Sequence, residues 1–127
     1  MLVVFVFIFF FEFLWHGMLM KPMYMETASL WRNEPMFPVL ILGQAVIAFA
    51  FTGLYVSKVG TNCPVTGAGY GIVIGILCAG GDIIRFSVQP VTTKILWMWI
   101  IGGLIEFAIA GALVGAIYKP LSNNATA

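Results

Sequence analysis

Long runs of apolar residues, separated by short polar stretches, recur along the chain at about residues 2–20, 38–57, 67–87 and 95–118, and a polar tail follows at 120–127. A helix needs about 20 apolar residues to cross the roughly 30 Å hydrocarbon core of a bilayer. The strict alternation of a membrane β-strand is absent, so helices are the predicted spanning elements. Short connections place helices that are consecutive in sequence antiparallel in space. We therefore predict an all-α membrane protein, a four-transmembrane-helix antiparallel bundle forming a single domain over 1–127.

The stretch between the first two spans differs from the other connections because it is longer and carries aromatic residues. Lys21 and Pro22 are predicted to end the first helix, since proline lacks the amide proton and clashes with the preceding turn. Tyr24 and Trp31 then fall in residues 23–38, where they are suited to the headgroup region. The pattern predicts an interfacial segment between helices 1 and 2.

Small residues recur every four positions at the start of the third span, at Gly67, Gly71, Gly75 and Ala79. This spacing places them on one helical face, where missing side chains let another helix come close, as in GxxxG packing. Spans two and four also carry small residues. We expect their exposed small-residue faces to support oligomerisation.

Composition supports lipid as the medium, because 61% of the 127 residues are hydrophobic and only 9% are charged. A soluble domain would carry roughly a quarter charged residues. The formal net charge is +1, which gives no basic field for nucleic acid. Cys63 and Cys78 have no metal-ligand spacing and predict no disulfide framework. The predicted partners are the lipid bilayer and other membrane subunits, without nucleic acid.

Five ionisable residues lie within or near the apolar runs, namely Glu12, His16, Asp82, Arg85 and Glu106. Measured at about 1.5 Å per residue from the nearest polar connection, the histidine lies roughly 7 Å deep and the first glutamate roughly 13 Å. The aspartate lies roughly 7 Å deep, the last glutamate roughly 17 Å, and the arginine close to the surface. All five depths are measured from the same side of the membrane. We therefore expect three helices to bring these groups together.

Two interpretations of this cluster remain open. In the structural one, Arg85 pairs with Asp82 and fixes helix register, while Glu12 and Glu106 are protonated or hydrogen-bonded. In the functional one, the acids and the histidine relay protons or ions, because ionisable groups inside a membrane commonly mark such paths.

A soft-metal site is a further alternative, since imidazole and thioether ligands suit Cu(I). His16, Met20 and Met23 would share a face if the helix continued, although Pro22 disturbs that geometry. Methionine is also ordinary packing material. No nucleophile, base and orienting group fall together, so the sequence predicts neither an enzyme nor a bound cofactor.

Charge asymmetry between the connections bears on orientation. Four cations flank one side, Lys21, Arg32, Arg85 and Lys94, and two flank the other, Lys58 and Lys119. The positive-inside rule then predicts that both termini lie outside and that the first and third connections lie in the cytoplasm.

Short motifs at both ends of the chain resemble a known group of proteins. Phe13-Leu14-Trp15-His16-Gly17, Gln89-Pro90 and Gly115-Ala116-Ile117-Tyr118-Lys119 are similar to the pattern of small uncharacterised bacterial four-helix integral membrane proteins, a domain-of-unknown-function family. The resemblance covers most of the chain. It implies the fold and a bacterial inner membrane, but no activity and no site residues.

These observations leave three hypotheses about function. The first is a non-enzymatic membrane module that is oligomeric or an accessory or scaffold component of a membrane complex. The second is a small proton-coupled transporter or permeation unit that uses the buried acids and His16. The third is a membrane protein that handles copper.

Overall fold

The structure, a computed structural model, describes residues 2–26 and 36–119, and this part of the chain is almost entirely helical without a strand. Its α-helices are α1 (Leu2–Leu14), α2 (Lys21–Glu26), α3 (Phe37–Leu54), α4 (Pro64–Val88) and α5 (Thr93–Ile117). A π-helical turn at Trp15–Leu19 extends α1, and another at Tyr55–Val59 extends α3. The predicted tail at 120–127 and the aromatic anchor Trp31 lie outside the described residues.

Four helical stretches within the described residues are long and apolar enough to cross a membrane. They are Leu2–Leu19, Phe37–Val59, Pro64–Val88 and Thr93–Ile117, with mean hydropathies of 1.7 to 2.2. The four predicted spans correspond to these stretches, with ends displaced by at most three residues. The third begins at Pro64 because proline suits the first turn of a helix, where its missing amide proton breaks no bond.

The chain bends at Met20, between the π-helical turn that extends α1 and the start of α2. The carbonyl of Met20 accepts hydrogen bonds from the amides of both Met23 and Tyr24, at 3.0 and 3.1 Å. Lys21 and Pro22 end the first helix, as expected, but they also begin α2, whose first turn accommodates the proline. The side chain of Met20 is fully buried at this bend. The bend leaves the Tyr24 hydroxyl beside His16, near the end of the first span.

The closest helix pair is α4 with α5, and glycines make it possible. A Cβ atom on Gly71 would overlap the Phe107 carbonyl, and one on Gly67 would overlap the Gly111 carbonyl. Gly75 lies against Leu104. Residues later in α4 thus contact residues earlier in α5, so the two helices run in opposite directions. Ala79 continues this row and is half-buried.

The small residues of α5 lie in this same interface. Gly111 and Gly115 are buried against Gly67 and the Cys63 carbonyl. These two glycines therefore contact α4 within the same chain and are not part of an exposed face. Close backbone approach to α4 uses this part of the small-residue surface of the fourth span.

The main core is built where α1 and α3 meet α5. Its buried residues are Val4, Ile8, Ala48, Phe51, Tyr55, Phe107, Ala110 and Val114. Tyr70 of α4 joins it by donating a hydrogen bond to the Phe51 carbonyl at 2.7 Å. Tyr55 donates to the Thr61 carbonyl at 2.5 Å, which ties the end of α3 to the following loop.

A second core cluster lies at the end of the protein that carries α2, which we call the α2 end. Its buried members are Met20, Val91, Ile95 and Trp99. Trp97 is exposed as a membrane-interface residue would be, whereas Trp99 is only 8% exposed and faces α2. Although both tryptophans stand at the start of the fourth span, where interfacial aromatic residues are common, Trp99 belongs to the second core cluster.

Candidate functional site

The ionisable residues singled out in the sequence come together near the α2 end, where α1 and α4 both pack on α5. His16 of α1 lies within electrostatic range of Glu12 and of Asp82 on α4. Cys78 lies within range of Asp82 and of Glu106 on α5. Together with the two aromatic residues described next, we call this group the polar cluster, consisting of Glu12, His16, Tyr24, Asp82, Arg85, Trp99 and Glu106.

Helical spacing determines the first pair of the cluster. Glu12 and His16 are four residues apart, and the Nε2 atom of the histidine lies 3.7 Å from a carboxylate oxygen of the glutamate. Their side chains remain 35% and 31% exposed, respectively. Glu12 is seven residues from the end of its span, which places it about 10 Å inside the membrane. About a third of the surface of each of these two side chains is therefore exposed, at a depth where a membrane holds no bulk water.

The deepest carboxyl group belongs to Glu106, whose side chain is buried to 4% exposure. The side chain of Glu12 lies close enough to interact with it. Two carboxyl groups can share a hydrogen bond only if one of them carries a proton, because both would otherwise be acceptors. Glu12 and Glu106 thus form a carboxyl pair across α1 and α5, and a proton on one of them would allow a hydrogen bond between the two.

Tyr24 links this pair to the α2 end of the protein. Its hydroxyl accepts a hydrogen bond from the indole N–H of Trp99 at 2.7 Å and lies 2.7 Å from the Nδ1 atom of His16. The same hydroxyl lies 3.6 Å from the sulfur of Met20. Its single proton therefore has two possible acceptors, the imidazole and the thioether. If it points to the sulfur, the imidazole donates to the phenol oxygen instead.

The surroundings keep this phenol neutral. Burial raises the pKa of Tyr24 to about 12, with a further rise from the carboxylates of Glu12 and Asp82, while the Trp99 hydrogen bond and Arg85 oppose the shift. At neutral pH the hydroxyl therefore keeps its proton and is able to donate it.

Arg85 closes the cluster at the α2 end. Its guanidinium lies 3.6 Å from the Asp82 carboxylate and 5.3 Å from the centre of the Trp99 ring. The arginine side chain is 54% exposed and the aspartate 19%, as expected for a long side chain that reaches toward the membrane surface. The ion pair and the cation–π contact together hold the indole in place beside Tyr24.

Sequence reasoning missed the role of Trp99, and it took Tyr24 only as a residue suited to the membrane interface. It also missed Trp15, whose indole donates to the Met98 carbonyl at 3.1 Å and covers Gly102. The available signal was the Lys21-Pro22 pair, since a break in the helix there can turn the next helix toward His16. Only the direction of the bend selects Tyr24.

The residues of the predicted soft-metal site have other partners. The donor atoms of His16 and Met20 both face the Tyr24 hydroxyl, and Met23 packs on the second core cluster. A copper ion would have to displace that hydroxyl. Residues 2–26 and 36–119 contain no group of three or more His, Cys, Asp or Glu placed to hold a metal ion.

Comparison of the chain with protein-family models, curated proteins and solved structures found no match. The class of protein therefore rests on its own helices. The four apolar stretches indicate a multi-pass membrane protein, and three of them contribute residues to the polar cluster.

Proposed function

We propose that this protein is a small non-enzymatic proton-coupled permeation or transport unit. The observation that carries the proposal is the continuous series of proton-active groups from Tyr24 through His16 and Glu12 to Glu106. The series begins outside the spans, at α2, and ends at a fully buried carboxyl group. Its members come from α2, the first span and α5, so the series joins three helices and is more than an ion pair within one helix.

The chemistry of these groups suits proton transfer. The phenol, the imidazole and the protonated carboxyl can each donate one proton while accepting another. Carboxyl and histidine chains of this kind are typical of proton relays inside membranes. The shared proton of the carboxyl pair would be the species that exchanges with the α2 end. The 3.7 Å between imidazole and carboxylate is longer than a hydrogen bond and would close when the histidine becomes protonated.

The proposal includes a membrane and an orientation. We place the four spans as an antiparallel bundle in a bacterial inner membrane, as the resemblance to small bacterial four-helix membrane proteins implies. The segment 23–38, part of which lies outside the described residues, would lie at the interface. Lys21, Arg85 and Lys94 at the α2 end favour a cytoplasmic α2 end and periplasmic termini. Cys63 tests the orientation, since a membrane-impermeant maleimide should label it from the periplasmic side when Cys78 is replaced by serine.

The direct experiment measures proton flux in proteoliposomes with a trapped pH dye. Glu106→Gln removes the buried acid but keeps its shape, and it should reduce flux at least tenfold. Glu34→Gln makes the same chemical change outside the described residues and serves as the matched control. Circular dichroism and size-exclusion profiles must show that both variants fold. Wild-type flux in a folded Glu106→Gln variant would refute the proposal.

A loss of folding in both Glu106→Gln and Asp82→Asn would instead identify the charges as structural. That outcome favours the second candidate, an oligomeric module or an accessory or scaffold subunit of a membrane complex. The observation behind this candidate is that about a third of the side-chain surface of Glu12 and of His16 is exposed within the span. Lipid chains offer no hydrogen bonds to these groups, so we propose that a second copy of the chain covers them. Light scattering in nanodiscs and native gels measures the assembly, and a monomer at every detergent level would refute it.

A further inference from the structure

Trp15 connects the first span to α5 close to the carboxyl pair. Its indole N–H donates a hydrogen bond to the Met98 carbonyl at 3.1 Å. The ring lies directly on Gly102, where an added Cβ atom would overlap the indole nitrogen. The indole also stacks on Phe11, with ring centres 5.6 Å apart and an angle of 11° between the planes. These three contacts leave the indole little freedom to move.

The spacing of residues along both helices places this contact next to the carboxyl pair. Trp15 lies three residues after Glu12, and Gly102 lies four residues before Glu106. Residues three or four apart share one face of an α-helix. Because α1 approaches the α2 end while α5 leads away from it, the Trp15–Gly102 contact and the carboxyl pair are successive layers of one interface.

The layer on the other side of the pair is apolar. Ile8 lies four residues before Glu12 and Ala110 four residues after Glu106, and both are fully buried in the main core. Apolar burial has no preferred direction, so this layer leaves the rotation of α1 less tightly defined. A hydrogen bond to a backbone carbonyl restricts both distance and angle. The bond from Trp15 therefore determines which face of α1 meets α5 beside the pair.

A small rotation of α1 would separate the two carboxyl groups. Side chains reach about 5–6 Å from a helix axis, so turning α1 by about 20° moves a side chain by about 2 Å. A hydrogen bond between two oxygen atoms spans only about 2.5–3.0 Å. After such a rotation the two carboxyl groups could no longer share a proton, although the helices would still be packed.

We propose that Trp15 is the positioning residue of the carboxyl pair, Glu12 and Glu106. Lying on Gly102 and bonded to the Met98 carbonyl, its indole holds α1 at the rotation that brings the two carboxyl groups together. This inference rests on the proposed proton-coupled function, in which that pair holds the exchanging proton. The indole takes no part in the transfer, because its N–H is a donor that cannot accept a proton in return.

Two adjacent glycines provide a matched test. Gly102→Ala adds a carbon where the indole lies, whereas Gly103→Ala adds the same carbon one residue later, where nothing lies within 4 Å. Both changes raise the helix propensity of α5 equally. We expect Gly102→Ala to lower proton flux in proteoliposomes at least tenfold and Gly103→Ala to stay within about twofold of wild type. Equal flux in the two folded variants would overturn the inference.

Changes at Trp15 itself identify the cause of the loss. Trp15→Phe keeps an aromatic ring but removes the donor to Met98, and it should lower flux at least threefold in a protein that still folds. Trp15→Leu removes the indole from Gly102, so adding Gly102→Ala to that variant should lower flux no further. Wild-type flux in Trp15→Phe, or a full additional loss in the double variant, would overturn the inference.

Titration of the pair separates positioning from a general loss of structure. Protonated carboxyl groups have an infrared C=O stretching band, and the part of it that disappears in Glu106→Gln belongs to the pair. The midpoint pH of that part should change by about half a pH unit or more in Gly102→Ala, a threefold change in proton affinity, and stay unchanged in Gly103→Ala. An unchanged midpoint in folded Gly102→Ala would overturn the inference. Neither variant replaces the other ionisable groups around the pair, which are His16, Tyr24, Cys78, Asp82 and Arg85.

The failures of the two proposals are distinguishable. If Glu106→Gln abolishes flux while Gly102→Ala and Trp15→Phe conduct as wild type does, Trp15 does not position the pair and the proton-coupled function stands. If wild type conducts no protons, the proposed function is refuted, and the infrared midpoint then decides whether Trp15 positions the pair.

Discussion

The α4–α5 contact makes a sharp prediction about single methyl groups. Gly71→Ala adds one carbon at a point where the Phe107 carbonyl already occupies the space. Gly69→Ala adds the same carbon to the same helix, where nothing lies within 4 Å. Both variants gain similar intrinsic helix propensity, since alanine is favoured over glycine by about 1 kcal/mol. Their difference in stability therefore isolates the close approach of the two backbones.

The magnitude follows from what must move. The atoms that a methyl group on Gly71 would meet are backbone atoms of α5. The Phe107 carbonyl carbon would lie 2.5 Å and the Ala108 Cα atom 3.1 Å from the added carbon. A backbone cannot rotate away as a side chain does, so the helices must separate by about 1 Å. A gap of that size removes roughly a quarter to a half of the dispersion attraction across the contact. Overpacking typically costs about 1–3 kcal/mol of stability, and we expect Gly71→Ala to lower the free energy of unfolding by about 3 kcal/mol.

Steric trapping or denaturant titration in bicelles measures these unfolding free energies. We expect Gly71→Ala to shift the folded-to-unfolded ratio about a hundredfold and Gly69→Ala to be neutral or stabilising. The separation also displaces Glu106, which lies on α5 one residue before Phe107, so proton flux should fall in the same variant. Equal stability of the two alanine variants would refute the close-packing argument.

Other contacts yield further predictions. Trp99→Phe removes the indole donor to Tyr24, and we expect a loss of about 1 kcal/mol in unfolding free energy and a further rise of the tyrosine pKa by absorbance titration, since the hydrogen bond that favours the phenolate is lost. Because the folded pKa of Tyr24 is raised to about 12 from an ordinary value of 10, its contribution to stability should be complete below pH 10 and disappear as pH rises to 12, which pH-dependent unfolding measures. Asn62→Ala removes a donor to the Gly115, Ala116 and Tyr118 carbonyls and should speed amide exchange in the last turn of α5 without changing flux. The Thr66 hydroxyl and the backbone amides of Thr66 and Val65 lower the pKa of Cys63, so Thr66→Val should slow its alkylation at neutral pH, whereas equal rates would contradict that cause.

Much of the architecture was predictable because membrane crossing imposes length and composition on local sequence. A run of about 20 apolar residues is legible without any tertiary information, and prolines at 22, 38 and 64 mark where helices begin or end. The five ionisable residues also stood out, because charge is scarce in such runs. Their shared depth followed from rise per residue alone, since depth in a bilayer depends on position in the span rather than on the neighbouring helix.

The partners of those groups depended on three-dimensional packing. Whether Asp82 meets Arg85 is a matter of local spacing, but whether Glu12 meets Glu106 depends on how α1 rotates on α5. The small residues of α5 illustrate the same limit. Their pattern indicates a face for close packing, yet the pattern is identical for a partner in the same chain and a partner in another.

The sequence by itself therefore determined the medium, the spans and the depth of the polar side chains, because each is a property of one helix in a bilayer. Only the tertiary structure decided which of these side chains come together, why Tyr24 joins them, and that α3 carries buried polar atoms without a hydrogen-bond partner among the described residues. These depend on the bend at Met20 and on helix rotation, and both arise from contacts between residues that are distant in sequence.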